Sequence, residues 1–106
     1  MKEASKDTFE EEIIRSDLPA VVDFWGPQCV LCLVLMPRVE ALSEKYAEKL
    51  KMAKVEAPKN RRLCIELKVL ALPTFLFYRD SKEIERLSGN DLSIEMIEAA
   101  IGRLLH

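Results

Sequence analysis

The run Ala20-Val21-Val22-Asp23-Phe24-Trp25 limits the possible folds of this chain more than any other segment. Its residues favour β structure and, Asp23 apart, are apolar at consecutive rather than alternating positions, as in a strand covered on both faces. A strand of that kind sits inside a sheet that needs helices on each side, and the rest of the chain must supply them. Asp7 and Thr8 stand before a Phe9-Glu10-Glu11-Glu12-Ile13-Ile14-Arg15 segment in the pattern of a capping box, which predicts a helix over 8–16 that stops before Pro19. From Cys29 to about Lys49, apolar residues recur at helical spacing (Leu35, Val39, Leu42, Tyr46), so one long helix kinked at Pro37 is expected.

Further on, 51–56 reads as a short strand, Pro58 and Asn60 start a helix through about Leu67, and 74–78 reads as a strand entered through Pro73. Asp80-Ser81 makes a turn, 83–87 returns antiparallel, and Ser93 caps a final helix over 94–105 that turns Ile97, Ile101, Leu104 and Leu105 to the core. The order α-β-α-β-α-β-β-α predicts an α/β fold. Its central sheet would be mixed, mostly parallel, with four to five strands, helices on both faces, and a C-terminal hairpin plus helix.

A length of 106 residues allows one domain spanning 1–106, and 49% apolar with 32% charged residues is the composition of an ordinary globular chain. With 16 Lys and Arg against 18 Asp and Glu, no basic excess is available to neutralise a nucleic-acid backbone or to hold an anionic membrane. The longest stretch without a charged residue, 24–37, is shorter than the roughly 18 apolar residues of a spanning helix and is interrupted by Gly26, Pro27 and Gln28. No membrane partner is expected. Positions 1–12 carry four glutamates and an aspartate, unlike the basic start of a secretion signal, so the cytoplasm is the expected location. Three cysteines, an odd number, make a poor disulfide framework, but Cys29 and Cys32 form a Cys-x-x-Cys pair that in a reducing compartment reads as redox or metal chemistry.

Residues three apart at the start of a helix lie about 5 to 6 Å apart on one face, within disulfide range, so the ring can open and close without unfolding anything. Helix amides and the macrodipole stabilise a thiolate best at the first position, which makes Cys29 the nucleophile and Cys32 the resolving thiol. Two other readings stand beside this one. Cys29, Cys32, Cys64 and the terminal His106 could formally hold a metal, although the second paired knuckle of known zinc modules is missing, or the pair could be inert and buried. Elsewhere, Cys64 is expected to pack in the core, Lys59, Arg61 and Arg62 to form a solvated helix end, Trp25 to pack beside the pair, and His106 to fray.

Val22-Asp23-Phe24-Trp25, the pair four residues after the tryptophan, Pro37, Ala53-Lys54-Val55, Leu72-Pro73-Thr74 and Gly89 fall in the order and spacing of the thioredoxin family, which the chain resembles over roughly 8–105. The resemblance implies a protein-disulfide oxidoreductase and electron carrier without a bound cofactor. Its substrates would be disulfide-containing proteins, its electron donor a thioredoxin-reductase-like protein, and its state monomeric, with no metal. Residue by residue, it implies that Cys29 attacks and Cys32 resolves, that Asp23 is the buried carboxylate behind Cys32, that Lys54 is its partner, and that Pro73 is a cis proline beside the disulfide. Trp25, Val30, Leu31, Leu72, Pro73 and Gly89 would form the substrate-binding surface. A carboxylate inside an apolar strand is independently expected to have a raised pKa suited to proton exchange with Cys32.

The chain departs from the family in its loop. Gln28 stands where the family has tryptophan before the first cysteine, Val30-Leu31 replaces Gly-Pro between the cysteines, and Gly26-Pro27 precedes the pair. The altered loop leaves the potential and the choice of partner open, and a module of the same fold that binds partners or acts as a chaperone with idle cysteines is the competing reading.

Overall fold

The computed structural model describes residues 1–106 and places the apolar 20–25 run at the middle of a five-stranded sheet. The strands are β1 (Lys2–Ala4), β2 (Ala20–Trp25), β3 (Lys51–Glu56), β4 (Thr74–Arg79) and β5 (Lys82–Ser88), in the order β1-β3-β2-β4-β5. β3 runs parallel to both β1 and β2, while β4 runs antiparallel to β2 and to β5, so the sheet is mixed. Antiparallel pairing thus reaches one strand further into the sheet than the terminal hairpin alone would take it.

Strand alternation sends β2 to two cores. Ala20, Val22 and Phe24 join Phe9, Ile13, Leu63 and Cys64 on one face, and Val21 joins Leu35, Val39, Leu42, Ile97, Ile101 and Leu104 on the other. The second face is covered by α1 (Val30–Lys45) and α3 (Ile94–Leu105), and the first by α2 (Arg61–Leu67) and a π-helical turn, Glu10–Ile14. α1 runs unbroken through Pro37, and Ser93 caps α3 by accepting the Met96 N–H at 3.2 Å.

Several boundaries differ from the sequence reading. The helix expected over 8–16 forms only as the shorter π-helical Glu10–Ile14, and without the expected side-chain cap. Thr8 Oγ1 accepts the Ser5 N–H at 2.9 Å, which spends the cap on a local turn, and the short π segment is held by the burial of Phe9 and Ile13. α1 ends at Lys45 rather than near Lys49, because Leu50 must turn back into the core and Lys51 donates to the Pro19 carbonyl as β3 begins. Pro58 lies in a 3-10 turn, Ala57–Lys59, and α2 starts only at Arg61. β1 was absent from the sequence reading. Asp80 and Ser81 form the expected hairpin turn with positive φ at both, as a two-residue loop between right-twisted strands requires.

Candidate active site

At the end of β2 the chain bends through Gly26 and Pro27 into α1. Gly26 is buried, and a Cβ there would stand 3.1 Å from Leu72 Cδ1, so the bend lies tight against the loop before β4. The Cys29 N–H donates to the Gly26 carbonyl at 3.0 Å, closing the turn that places Cys29 at the N-cap of α1. Cys29 and Cys32 are joined by a disulfide, with Cα atoms 5.2 Å apart. Cys29 is half-buried and its Sγ accepts the Cys32 N–H at 3.2 Å, whereas Cys32 lies inside, at 2% exposure. The more accessible sulfur is therefore the one served by the helix amides.

Asp23 projects from β2 to the face that α1 covers, two residues along from Val21, and is 2% exposed. Its Oδ1 has no hydrogen-bond partner, and burial pushes the carboxyl up to about 7, opposed by the charge of Lys54 and reinforced by that of Glu3. Strand register explains both influences, since Lys54 pairs with Asp23 across β2–β3 and with Glu3 across β1–β3. The Lys54 amine does not contact the carboxylate; it lies over the Trp25 ring, 5.8 Å from its centroid. The indole Nε1 of Trp25 is buried without a hydrogen-bond partner.

The Leu72–Pro73 peptide is cis. Phe24 pairs with Thr74, which puts Pro73 level with Trp25 at the edge of the sheet where α1 begins. The Pro73 carbonyl accepts the Gly89 N–H at 3.0 Å, and Gly89 has φ +106°, a conformation that side chains disfavour. The backbone N–H and carbonyl of Leu72 make no hydrogen bond within the chain. Val30 is 75% exposed, whereas Leu31 turns in against the α1–α3 core and adds less to the surface than two open aliphatic side chains would.

Cys64 is buried, and burial pushes its thiol up, as expected of a packing residue. Lys59, Arg61 and Arg62 are exposed, with Lys59 paired to Glu56 at 3.6 Å, and His106 lies exposed at the chain end. No group of three or more His, Cys, Asp or Glu side chains gathers that could hold a metal ion. The sequence reading missed Gly26, whose close approach to Leu72 follows only from the fold, and Glu3, which reaches the Asp23 row through an unforeseen strand. It also missed Leu33 and Val34, whose signal was available: apolar residues at helix positions that do not face the core.

Residues 1–102 match the family model described as Thioredoxin. The chain is 36% identical to a thioredoxin of Acetoanaerobium sticklandii over 105 residues, covering 99% of this chain and 100% of that protein. It is also 36% identical to a thioredoxin of Peptoclostridium acidaminophilum over 101 residues, or 95% and 92% of the two chains. A thioredoxin of Porphyra purpurea is 30% identical over 82 residues, 77% of each.

Proposed function

Because the chain belongs to the thioredoxin family and is a protein thiol-disulfide oxidoreductase, we propose that Cys29 is its attacking thiolate, Cys32 its resolving thiol and Asp23 the proton carrier between turnovers. The observation that carries this division is the placement of the half-buried Cys29 at the N-cap of α1 and the buried Cys32 on the face where Asp23 lies. The Cys29 thiolate attacks one sulfur of a partner disulfide; a mixed disulfide forms and the other partner sulfur leaves as a thiolate. Asp23, ionised near its pKa of about 7, takes the proton of Cys32. The Cys32 thiolate then attacks Cys29 Sγ, closing the Cys29–Cys32 bond and expelling the second partner thiolate. The partner gains two electrons and two protons, and a reductase restores the dithiol.

Lys54 tunes Asp23 through its charge, and Trp25 shields the pair. Val30, Leu31, Pro73 and Gly89 border the site, and Leu72, with its backbone groups unpaired, receives an extended partner segment by strand addition. Residues 1–102 match the family model, and we take 1–106 as one domain acting as a monomer, without bound cofactor or metal and without nucleic-acid partners. No helix is long and apolar enough to cross a membrane, and the unpaired third cysteine suits a reducing compartment such as the cytoplasm. Family membership implies protein disulfides as substrates and a reductase as donor; we take the donor to be thioredoxin-reductase-like.

Single-turnover reduction of a protein disulfide by the prereduced chain tests the division of roles. Cys29→Ser abolishes the reaction, and Cys32→Ser accumulates a mixed disulfide through Cys29, visible by mass. Mixed disulfide through Cys32 in the Cys29→Ser variant would reverse the assignment, and undiminished partner binding with no turnover in the parent chain would favour the binding module.

A further inference from the structure

Over its first two turns, α1 is apolar on the side it turns to solvent as well as on the side it buries. Cys32, Leu35, Val39 and Leu42 face the core, while Val30, Leu33 and Val34 stand 75%, 47% and 64% exposed, and the exposed Pro37 continues their row. A helix that only covers a sheet needs one apolar stripe and is polar opposite it. The row begins beside Cys29, and Leu33, whose N–H donates to the Cys29 carbonyl at 3.2 Å, lies about one turn, roughly 6 Å, further along the axis. No charged side chain occurs between Asp23 and Arg38, so the first two turns of α1 offer a partner aliphatic carbon beside Cys29, and charge returns on the helix only from Arg38 onward.

We propose that Val30, Leu33 and Val34 form a docking strip for uncharged, aliphatic residues that flank the reacting disulfide of the partner polypeptide, which makes Leu33 and Val34 specificity-determining positions. The inference rests on Cys29 being the attacking thiol. The occupant follows from continuity with the exchange site: a mixed disulfide holds the partner backbone within a few bonds of Cys29, so the residues next to the partner cysteine fall on the first turns of α1. Aliphatic burial there lowers the barrier only for partners that can fill it.

The test uses the prereduced chain and three oxidants: a disulfide peptide flanked by Val and Leu, the same peptide flanked by Ser and Asn, and hydroxyethyl disulfide, which has no flanking residues. The parent chain should reduce the aliphatic peptide with a kcat/KM about ten-fold above the polar one, the scale of a small apolar contact. Val34→Glu, Val34→Lys and Leu33→Ser should each cut the rate on the aliphatic peptide by about five-fold or more relative to hydroxyethyl disulfide measured on the same variant. Loss with both charge signs separates apolar docking from a field acting on the Cys29 thiolate, which Glu and Lys would shift in opposite directions. Leu33→Ser adds no charge and carries the test if a charged variant fails to fold. Equal rates on the two peptides, opposite effects of Glu and Lys, or a concentration-dependent dimer that Val34→Glu dissolves would each overturn the proposal. Failure to reduce even hydroxyethyl disulfide would instead remove the proposed exchange on which it rests.

Discussion

Asp23 combines a buried carboxyl with a pKa of about 7, and this one residue links the stability of the protein to pH and, through the proposed proton transfer, to its chemistry. The folded pKa lies above the ordinary 3.8, so the folded state holds a proton that the unfolded state has already released. Stability from this group is therefore full below about pH 4, falls as pH rises, and levels off above pH 7, the difference being on the order of 4 kcal/mol. Urea midpoints of the parent and Asp23→Asn should diverge between pH 4.5 and pH 8, with the variant gaining at the higher pH; parallel curves would show that the carboxyl is not strained by burial. Its two charged neighbours act in opposite senses. Lys54→Gln should move the inflection of turnover with pH upward, and Glu3→Gln should move it downward, because Lys54 lowers the Asp23 pKa and Glu3 raises it. Coincident pH profiles for the three proteins would separate Asp23 from turnover.

Among the elements, β1 and the loop ending in Gly89 depend most on contacts distant in sequence. Glu12 accepts hydrogen bonds from Lys2 of β1 and Lys51 of β3, and these hold its carboxyl down at about 2. The stabilisation is present above about pH 4.5 and is lost as pH falls through 2, the reverse of the Asp23 case. Glu12→Gln should lower amide hydrogen-exchange protection in β1 while leaving α3 unchanged; equal loss in both would mean that the ion pairs do not act locally. At Gly89 the added Cβ of alanine meets open space, so the cost of Gly89→Ala is backbone strain at φ +106°, about 1–3 kcal/mol in the urea transition. Elements with strong local signals, β2, β3 and α3, appear where their periodicity and the Ser93 cap put them. The helix expected over 8–16, which is shorter than its pattern and forms over Glu10–Ile14, and the missed β1 depart from the local signal for one reason. Lys2-Glu3-Ala4 becomes a strand only because β3 offers a ladder, and Thr8 is drawn to Ser5 rather than to a helix start.

At the scale of the whole molecule, the two cores share the sheet, with Val22 and Phe24 on one side and Val21 and Phe75 on the other. Neither half can lose its cover without exposing the strands that the other needs. Ile101→Ala, which empties a fully buried position of α3, should cost about 2–5 kcal/mol. Trp25 fluorescence and far-UV circular dichroism should then shift together in urea as one transition. Separate midpoints would mean that the helical layers unfold independently of the sheet.

The residues alone determined the alternation of strands and helices, the central place of β2 and the spacing that sets two sulfurs on the first turn of a helix. All three depend on interactions within a few positions along the chain, which periodicity and capping reveal. Tertiary structure decided the rest. Register sets Lys54 between Asp23 and Glu3, the Gly26 bend packs on Leu72, and the bond before Pro73 is cis. Each of these depends on which distant segment arrives opposite a residue, and that information appears only when the layers close.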